Sequence, residues 1–221
     1  MGSISFKERL DVALHDLALD LDTQARERLL MYLDLLQRWN KTYNLTAVRD
    51  PSQMLVQHLF DSLSILPSLR TILYKKTVKN ARVMDIGSGA GLPGVVLAIA
   101  EPHWYVECVD AVEKKTAFIR YAAGVLGLGN LVSTHQRVET IEPRSADIVI
   151  SRAFASLVDF STWAGRHVAQ EGYLVAMKGV SPVQEIADLH QEGVWTVEKE
   201  EPLHVPELDA HRCLLWIRRQ G

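Results

Sequence analysis

The sequence predicts an α/β fold, a mostly parallel seven-stranded sheet with an antiparallel C-terminal strand, preceded by a helical N-terminal extension. Three observations carry this expectation. From Val83 onward, strand-like and helix-like stretches alternate. The stretch VMDIGSGAGLPG, Val83 to Gly94, reads as a short buried strand that ends in a glycine-rich turn and opens a helix. A second strand, Tyr105 to Asp110, ends in an acid roughly 20 residues beyond the glycines, where doubly wound folds place the carboxylate that holds ribose hydroxyls. Together the glycines and Asp110 imply an adenosine-bearing ligand.

With 221 residues, of which 48% are apolar, the chain has enough material for a sizeable core. The net charge of −3 lacks the basic excess of a general phosphate binder, so any RNA contact has to come from a local patch. Cys108 and Cys213 have neither metal-ligand spacing nor the numbers for a disulfide framework, which favours a reducing compartment and no metal. No run approaches the roughly 20 apolar residues of a membrane span, and the N-terminus has no signal-peptide pattern. The expectation is a cytoplasmic protein that does not engage a membrane.

The division expected is a helical region over 1–70, a linker over 71–80 and a sheet domain over 81–221. Ser5 and Glu8 form a capping box for a first helix over about 6–19, with Leu10, Ala13, Leu14 and Leu17 at helical spacing. A second helix starts at Asp22 or Thr23 and reaches Trp39. Asn40 to Arg49 reads as a polar loop. Asp50 and Pro51 start a third helix, with Leu55, Leu59, Leu63 and Leu66 on one side and Pro67 as its stop. His58 and Asp61, three apart, could form a hydrogen-bonded pair or a plain packing contact. Arg70 to Arg82, with Lys75, Lys76 and Lys79, reads either as a solvated boundary or as a phosphate-facing patch.

In the sheet domain, Gly87, Gly89 and Gly91 free the backbone to adopt positive φ and approach a ligand closely. The apolar run Val95 to Ala100 follows as a buried helix, whose N–H groups face the turn. Glu113 to Leu126 is a helix closed by Gly127; Leu131 to Val138 and Ala146 to Ser151 are strands; Phe154 to His167 is a helix and Tyr173 to Met177 a strand. Arg152 and Lys178 then fall at the carboxyl edge, where open α/β sheets bind ligands. Val194 to Glu200 and His211 to Arg218 read as an antiparallel pair.

Leu92 occupies the position where a dinucleotide fingerprint has Gly or Ala. The GxGxG form with Asp85 before it looks like motif I of class I S-adenosylmethionine-dependent methyltransferases, whose fold is Rossmann-like. Three stretches, NLTAVRDPSQMLVQHLFDSL (Asn44 to Leu63), DIGSGAGLPG (Asp85 to Gly94) and ISRAFASL (Ile150 to Leu157), resemble the RsmG (GidB) family of bacterial 16S rRNA guanine-N7 methyltransferases. The similarity covers about Arg38 to Gly179. It implies methyl transfer from S-adenosylmethionine to N7 of a guanine in the 530 loop of 16S rRNA, on the rRNA itself, the small subunit or its precursor. By motif it carries over Gly87, Gly89 and Leu92 in the turn, Val138 and Glu139 after the third strand and Arg152 after the fourth as cofactor contacts, beside Asp110 on the ribose.

Guanine N7 attacks through an in-plane lone pair, so no general base is required and the catalytic assignment stays open. Arg152, Lys178, His58 and the Asn44 loop are the candidates for the guanine pocket, with Phe154 available for stacking. Amine methylation would need an Asn/Asp-Pro-Pro-aromatic motif where Ser151 to Phe154 stand, and pyrimidine C5 methylation a cysteine at this edge, where neither cysteine is expected. The rival readings are a nicotinamide-dependent dehydrogenase, a methyltransferase for another substrate and a non-catalytic ribosome-assembly factor.

Overall fold

The computed structural model describes residues 4–76, 78–152, 154 and 156–220. Thr77, in the expected linker, and Ala153 and Ala155, in the ISRAFASL stretch, lie outside the described residues, as do the first three residues and Gly221.

Helices α1 (Phe6–Asp16) and α2 (Thr23–Tyr43) open the chain. The Ser5–Glu8 capping box forms in full, and Asp22 caps α2 by accepting the Ala25 N–H. α2 runs four residues past Trp39 into the segment expected as a loop, and stops where Asn44 adopts a left-handed conformation at φ 49°. The third helical stretch is α3 (Pro51–Met54), a π-helical turn (Leu55–Phe60) and α4 (Asp61–Leu63). Pro67 does not end it. It sits in the first turn of α5 (Leu66–Lys75), where a missing N–H costs nothing, so the expected linker begins inside a helix.

Strands β1 (Arg82–Ile86), β2 (Tyr105–Asp110), β3 (Leu131–His135), β4 (Ala146–Ser151), β5 (Val168–Lys178), β6 (Trp195–Pro202) and β7 (Cys213–Arg219) form one sheet in the order β3-β2-β1-β4-β5-β7-β6. β1 to β5 pair in parallel; β7 runs antiparallel to both β5 and β6. The seven strands and their mixed ending are as the sequence predicts. Helices α6 (Gly94–Ala100), α7 (Glu113–Leu126), α8 (Leu157–Ala164) and α9 (Val183–Gln191) cover the two faces. The sequence reading passes over α9, although Ile186 and Leu189 pack toward the core.

Alternation along β1 shows why both faces are filled. Val83 points into a core shared with α1, α2, α6 and α7, whereas Met84 and Ile86 join the opposite core under α8 and α9. The N-terminal helices share the first of these cores with the sheet. Strand order reverses between β1 and β4, so the crevice beyond their carboxyl ends is the topological switch point. Lys75, Lys76, Lys79 and Arg82 belong to the other end: Arg82 begins β1 and its guanidinium lies over the ring of Tyr105, which begins β2. No helix among the described residues is long and apolar enough to cross a membrane.

Candidate active site

At the carboxyl end of β1 the chain turns through Gly87, Gly89 and Gly91, all at positive φ (66°, 60° and 92°). The Gly91 and Leu92 N–H groups both donate to the Ser88 carbonyl, which curls the turn toward α6. A Cβ at Gly91 would overlap the Val95 side chain, whereas at Gly89 nothing lies within 4 Å of that position. Gly91 is therefore glycine for packing, and Gly89 faces open space at the mouth of the turn. Leu92 is buried in the core shared with the N-terminal helices.

Two acids fix the turn. Asp110 Oδ2 accepts the Gly89 N–H at 2.9 Å and lies 3.5 Å from Lys115 Nζ, while Oδ1 accepts the Val112 N–H at 2.8 Å. The acid singled out for ribose thus also ties the end of β2 to the glycine turn. Asp85 Oδ2 accepts the Gly94 N–H at 2.8 Å at the start of α6, and its Oδ1 is buried without a hydrogen-bond partner among the described residues. Burial raises its carboxyl from 3.8 to about 7, against the Gly94 hydrogen bond and the Arg152 charge, which lower it. From the opposite side, Tyr32 of α2 donates its buried hydroxyl to the Ala90 carbonyl at 2.8 Å.

Val138 and Glu139 are not the end of a strand. β3 stops at His135, and they form a 3-10 turn, Val138–Thr140. The Val138 side chain is packed in the core, and its carbonyl accepts from His167 Nε2 at 3.1 Å. Burial lowers the His167 pKa, which keeps a neutral ring as donor. Arg166 Nη1 contacts the Glu139 carbonyl at 3.4 Å, so the turn after α8 steadies the whole segment. The Glu139 carboxylate is half exposed, 3.8 Å from Arg137.

Beyond the ends of β4 and β5 lies a cavity of about 380 Å³ bordered by Gln57, His58, Asp61, Arg152, Lys178 and Arg212. Asp61, 3% exposed, is held between two arginines: Arg152 Nη1 stands 3.0 Å from Oδ2 and Arg212 Nε 2.9 Å from Oδ1. Arg152 also donates to the Gln57 carbonyl at 3.2 Å. The wider π-helical winding brings Gln57, His58 and Asp61 to one cavity wall, a use of such turns that recurs at functional sites. The His58 and Asp61 side chains do not pair with each other: the Asp61 backbone N–H donates to the His58 carbonyl within the winding, and His58 Nε2 pairs with the Thr46 hydroxyl at 2.9 Å. Burial first, then the Arg152 charge, lowers the His58 pKa to about 4, so the ring is neutral at physiological pH.

Of the other candidates, Lys178 borders the cavity, but its ammonium is bound by Glu185 (2.8 and 3.1 Å) and by the Phe154 carbonyl at 3.0 Å. Asn44 does not line the cavity. Its side chain accepts from Arg49, and the loop reaches the cavity only through Thr46. The Phe154 ring packs on Phe160 and Trp163, with centroids 5.1 and 5.7 Å away, instead of standing free. Cys213 departs from expectation: it lies beside Lys178 in the sheet, at the carboxyl edge. Burial raises its pKa, the opposite of what an activated nucleophile requires.

Sequence reasoning missed Tyr32, Arg212 and His167, and saw Asp61 only as a partner for His58. Arg212 lies in the proline-containing connection just before β7, a position without a local signal. An acid in the middle of an otherwise apolar helical run, as Asp61 is, was the available clue.

A family model described as GidB, rRNA small subunit methyltransferase G, matches residues 25–215 of the chain. The protein of Bordetella pertussis named ribosomal RNA small subunit methyltransferase G is 58% identical over 213 residues, covering 96% of this chain and 93% of that one. The protein of the same name from Acidovorax sp. strain JS42 is 48% identical over 224 residues, covering 99% and 97%. Among solved structures, a SAM-dependent methyltransferase from Aquifex aeolicus superposes with a TM-score of 0.53 at 18% identity over 76% of this chain and 93% of that one. The ribosomal protein L11 methylase of Lactobacillus delbrueckii gives 0.52 at 16% over 73% and 77%. At these identities the two structures speak for the fold alone.

Proposed function

The chain belongs to the GidB family, rRNA small subunit methyltransferase G, and from that premise we propose that it methylates N7 of a guanine in the 530 loop of 16S rRNA. It is an S-adenosylmethionine-dependent rRNA methyltransferase of class I fold. When bound, the cofactor supplies an electrophilic methyl group on a sulfonium. The open side of Gly89, the acid Asp110 and the 3-10 turn at Val138 and Glu139 fit such a group at the switch point, with Gly87 shaping the turn and Leu92 anchoring it in the core. Arg152 stands where this site meets the cavity.

The observation that carries the atom choice is Asp61, a buried carboxylate clamped by Arg152 and Arg212 in a cavity where no strong base stands unpaired among the described residues. Guanine presents N1–H and N2–H donors that suit a carboxylate and an O6 acceptor that suits arginine. With Asp61 shared by two guanidinium groups, Lys178 held by Glu185 and His58, at a pKa of about 4, a weak proton acceptor tied to Thr46, the side chains orient a base rather than deprotonate it. An N7 lone pair requires nothing more than in-line approach and exclusion of water. The helices over 1–70 serve as the RNA-facing cover on the sheet domain over 81–221, and the partner is 16S rRNA or a small-subunit particle in the cytoplasm.

The test is nucleotide-resolution mapping of 7-methylguanosine in 16S rRNA from cells with and without this gene, with methyl incorporation by the purified chain into isolated small subunits. A 530-loop 7-methylguanosine that depends on the gene is expected. Methyl groups on another atom, another loop or a protein overturn the reading.

A further inference from the structure

One aromatic group on the surface is left unused by the site. Trp39 near the end of α2 lies between Tyr43 and Tyr121, with ring centroids 5.0 and 5.1 Å away and ring planes inclined by 36° and 38°. Behind it stands the fully buried Phe118, at 5.4 Å, which in turn faces Tyr32 at 6.1 Å. The two outer tyrosines are nearly half exposed, at 45% and 47%. Aromatic side chains that pack on one another at a tilt and still leave nearly half their surface in water are held in place by their own packing and form a pre-formed aromatic surface.

Its surroundings select the occupant. Lys114 shares the α7 stripe of Tyr121, two turns earlier, and Arg120 is its neighbour; both are exposed, and Arg38 stands one residue before Trp39, also exposed, with Asp34 as its surface partner. The acids among these are Glu113 and Asp34, the latter paired with Arg38, so three cations stand against two acids on a chain whose overall charge is negative. Half-exposed aromatic side chains beside cations match the bases and phosphates of an unpaired RNA strand, for which stacking supplies affinity without sequence choice. The patch also lies on the working side of the fold. α7 starts directly after β2 ends at Asp110, and α2 ends at Tyr43, from which the Asn44–Thr46 loop leads to His58 in the cavity wall.

We propose that Tyr43 and Tyr121, held by Trp39, form a stacking platform for unpaired rRNA bases next to the target guanine, with Lys114 and Arg120 on the flanking phosphates. The inference rests on the rRNA reading and adds the face along which the strand runs. Cofactor binding does not involve this platform.

Its test compares wild type, a Tyr43→Ala/Tyr121→Ala variant and a Tyr43→Phe/Tyr121→Phe variant of the full chain. Each is measured for affinity to a labelled single-stranded 530-loop oligonucleotide, for KM and kcat with small subunits, and for S-adenosylhomocysteine affinity. Removing two stacking faces is expected to weaken oligonucleotide binding and raise KM by about 10-fold or more. The phenylalanine variant should behave as wild type, and kcat and S-adenosylhomocysteine affinity should stay unchanged throughout. Equal oligonucleotide affinity and KM in all three proteins overturn the platform while methylation by wild type leaves the functional reading intact. A loss of affinity for subunits with none for the oligonucleotide assigns the face to a ribosomal protein and also overturns it. Should wild type methylate no RNA, the functional reading fails, and the oligonucleotide comparison alone decides the platform.

Discussion

Asp85→Asn should abolish the pH dependence that one buried carboxyl imposes on stability. The unfolded chain releases this proton near 3.8 and the folded chain near 7, because burial disfavours the charge. Between those values the folded state binds more protons, so stability contributed by the neutral carboxyl is lost as pH rises from about 4 to about 7 and stays lost above. At about 1.36 kcal/mol per pH unit the complete loss is about 4 kcal/mol, of which about 3 kcal/mol falls between pH 5 and pH 8. Asparagine retains an acceptor for the Gly94 N–H, at 2.8 Å in the native protein, and leaves an amide donor where Oδ1 has no partner among the described residues, at a cost of about 1–3 kcal/mol at every pH. Urea unfolding of both proteins from pH 5 to pH 8 measures the difference directly. The variant should be equal or less stable at pH 5 and gain about 3 kcal/mol on wild type by pH 8. Parallel stability curves would mean that Asp85 is ionised throughout and that the burial argument fails.

Three further outcomes follow from the site. Gly89→Ala, at φ 60° with open space around the added methyl, should cost only about 1–2 kcal/mol of stability yet weaken S-adenosylhomocysteine binding at least 10-fold by calorimetry, whereas Gly91→Ala, which overlaps Val95, should lose stability and binding together. Equal cofactor affinity in wild type and Gly89→Ala places the ligand elsewhere. Tyr32→Phe removes the donor of the buried Ala90 carbonyl, so a drop of about 1–3 kcal/mol in urea unfolding and a few-fold weaker cofactor affinity are expected; an unchanged protein would show that α2 does not brace the turn. Asp61→Asn leaves two guanidinium groups facing one cavity without their carboxylate. It should lower stability by about 1–3 kcal/mol, the arginines being about a quarter exposed, and cut methyl transfer to small subunits by 100-fold or more in a labelled-cofactor assay.

Much of the sheet was legible because its signals are local. The strand at Val83, the glycines, the acid ending Tyr105 to Asp110 and the antiparallel final pair each show within a few residues, since turn chemistry and side-chain alternation act over that range. Pro67 was misread because proline is compatible both with the end of one helix and with the first turn of the next. Only packing distinguishes the two: Leu66, Leu69 and Leu73 are buried against the core, which makes α5 a helix where charge suggested a boundary.

The sequence by itself determined which residues could make a doubly wound sheet with a ligand mouth at Gly87 to Gly91. Tertiary structure decided what stands around that mouth, because the deciding contacts join residues far apart along the chain. Asp61 meets Arg152 and Arg212 across 91 and 151 residues, Tyr32 reaches Ala90 across 58, and His167 reaches Val138 across 29. Such pairings have no local signature: a buried charge or carbonyl must be satisfied, but which distant donor satisfies it depends on the folded backbone.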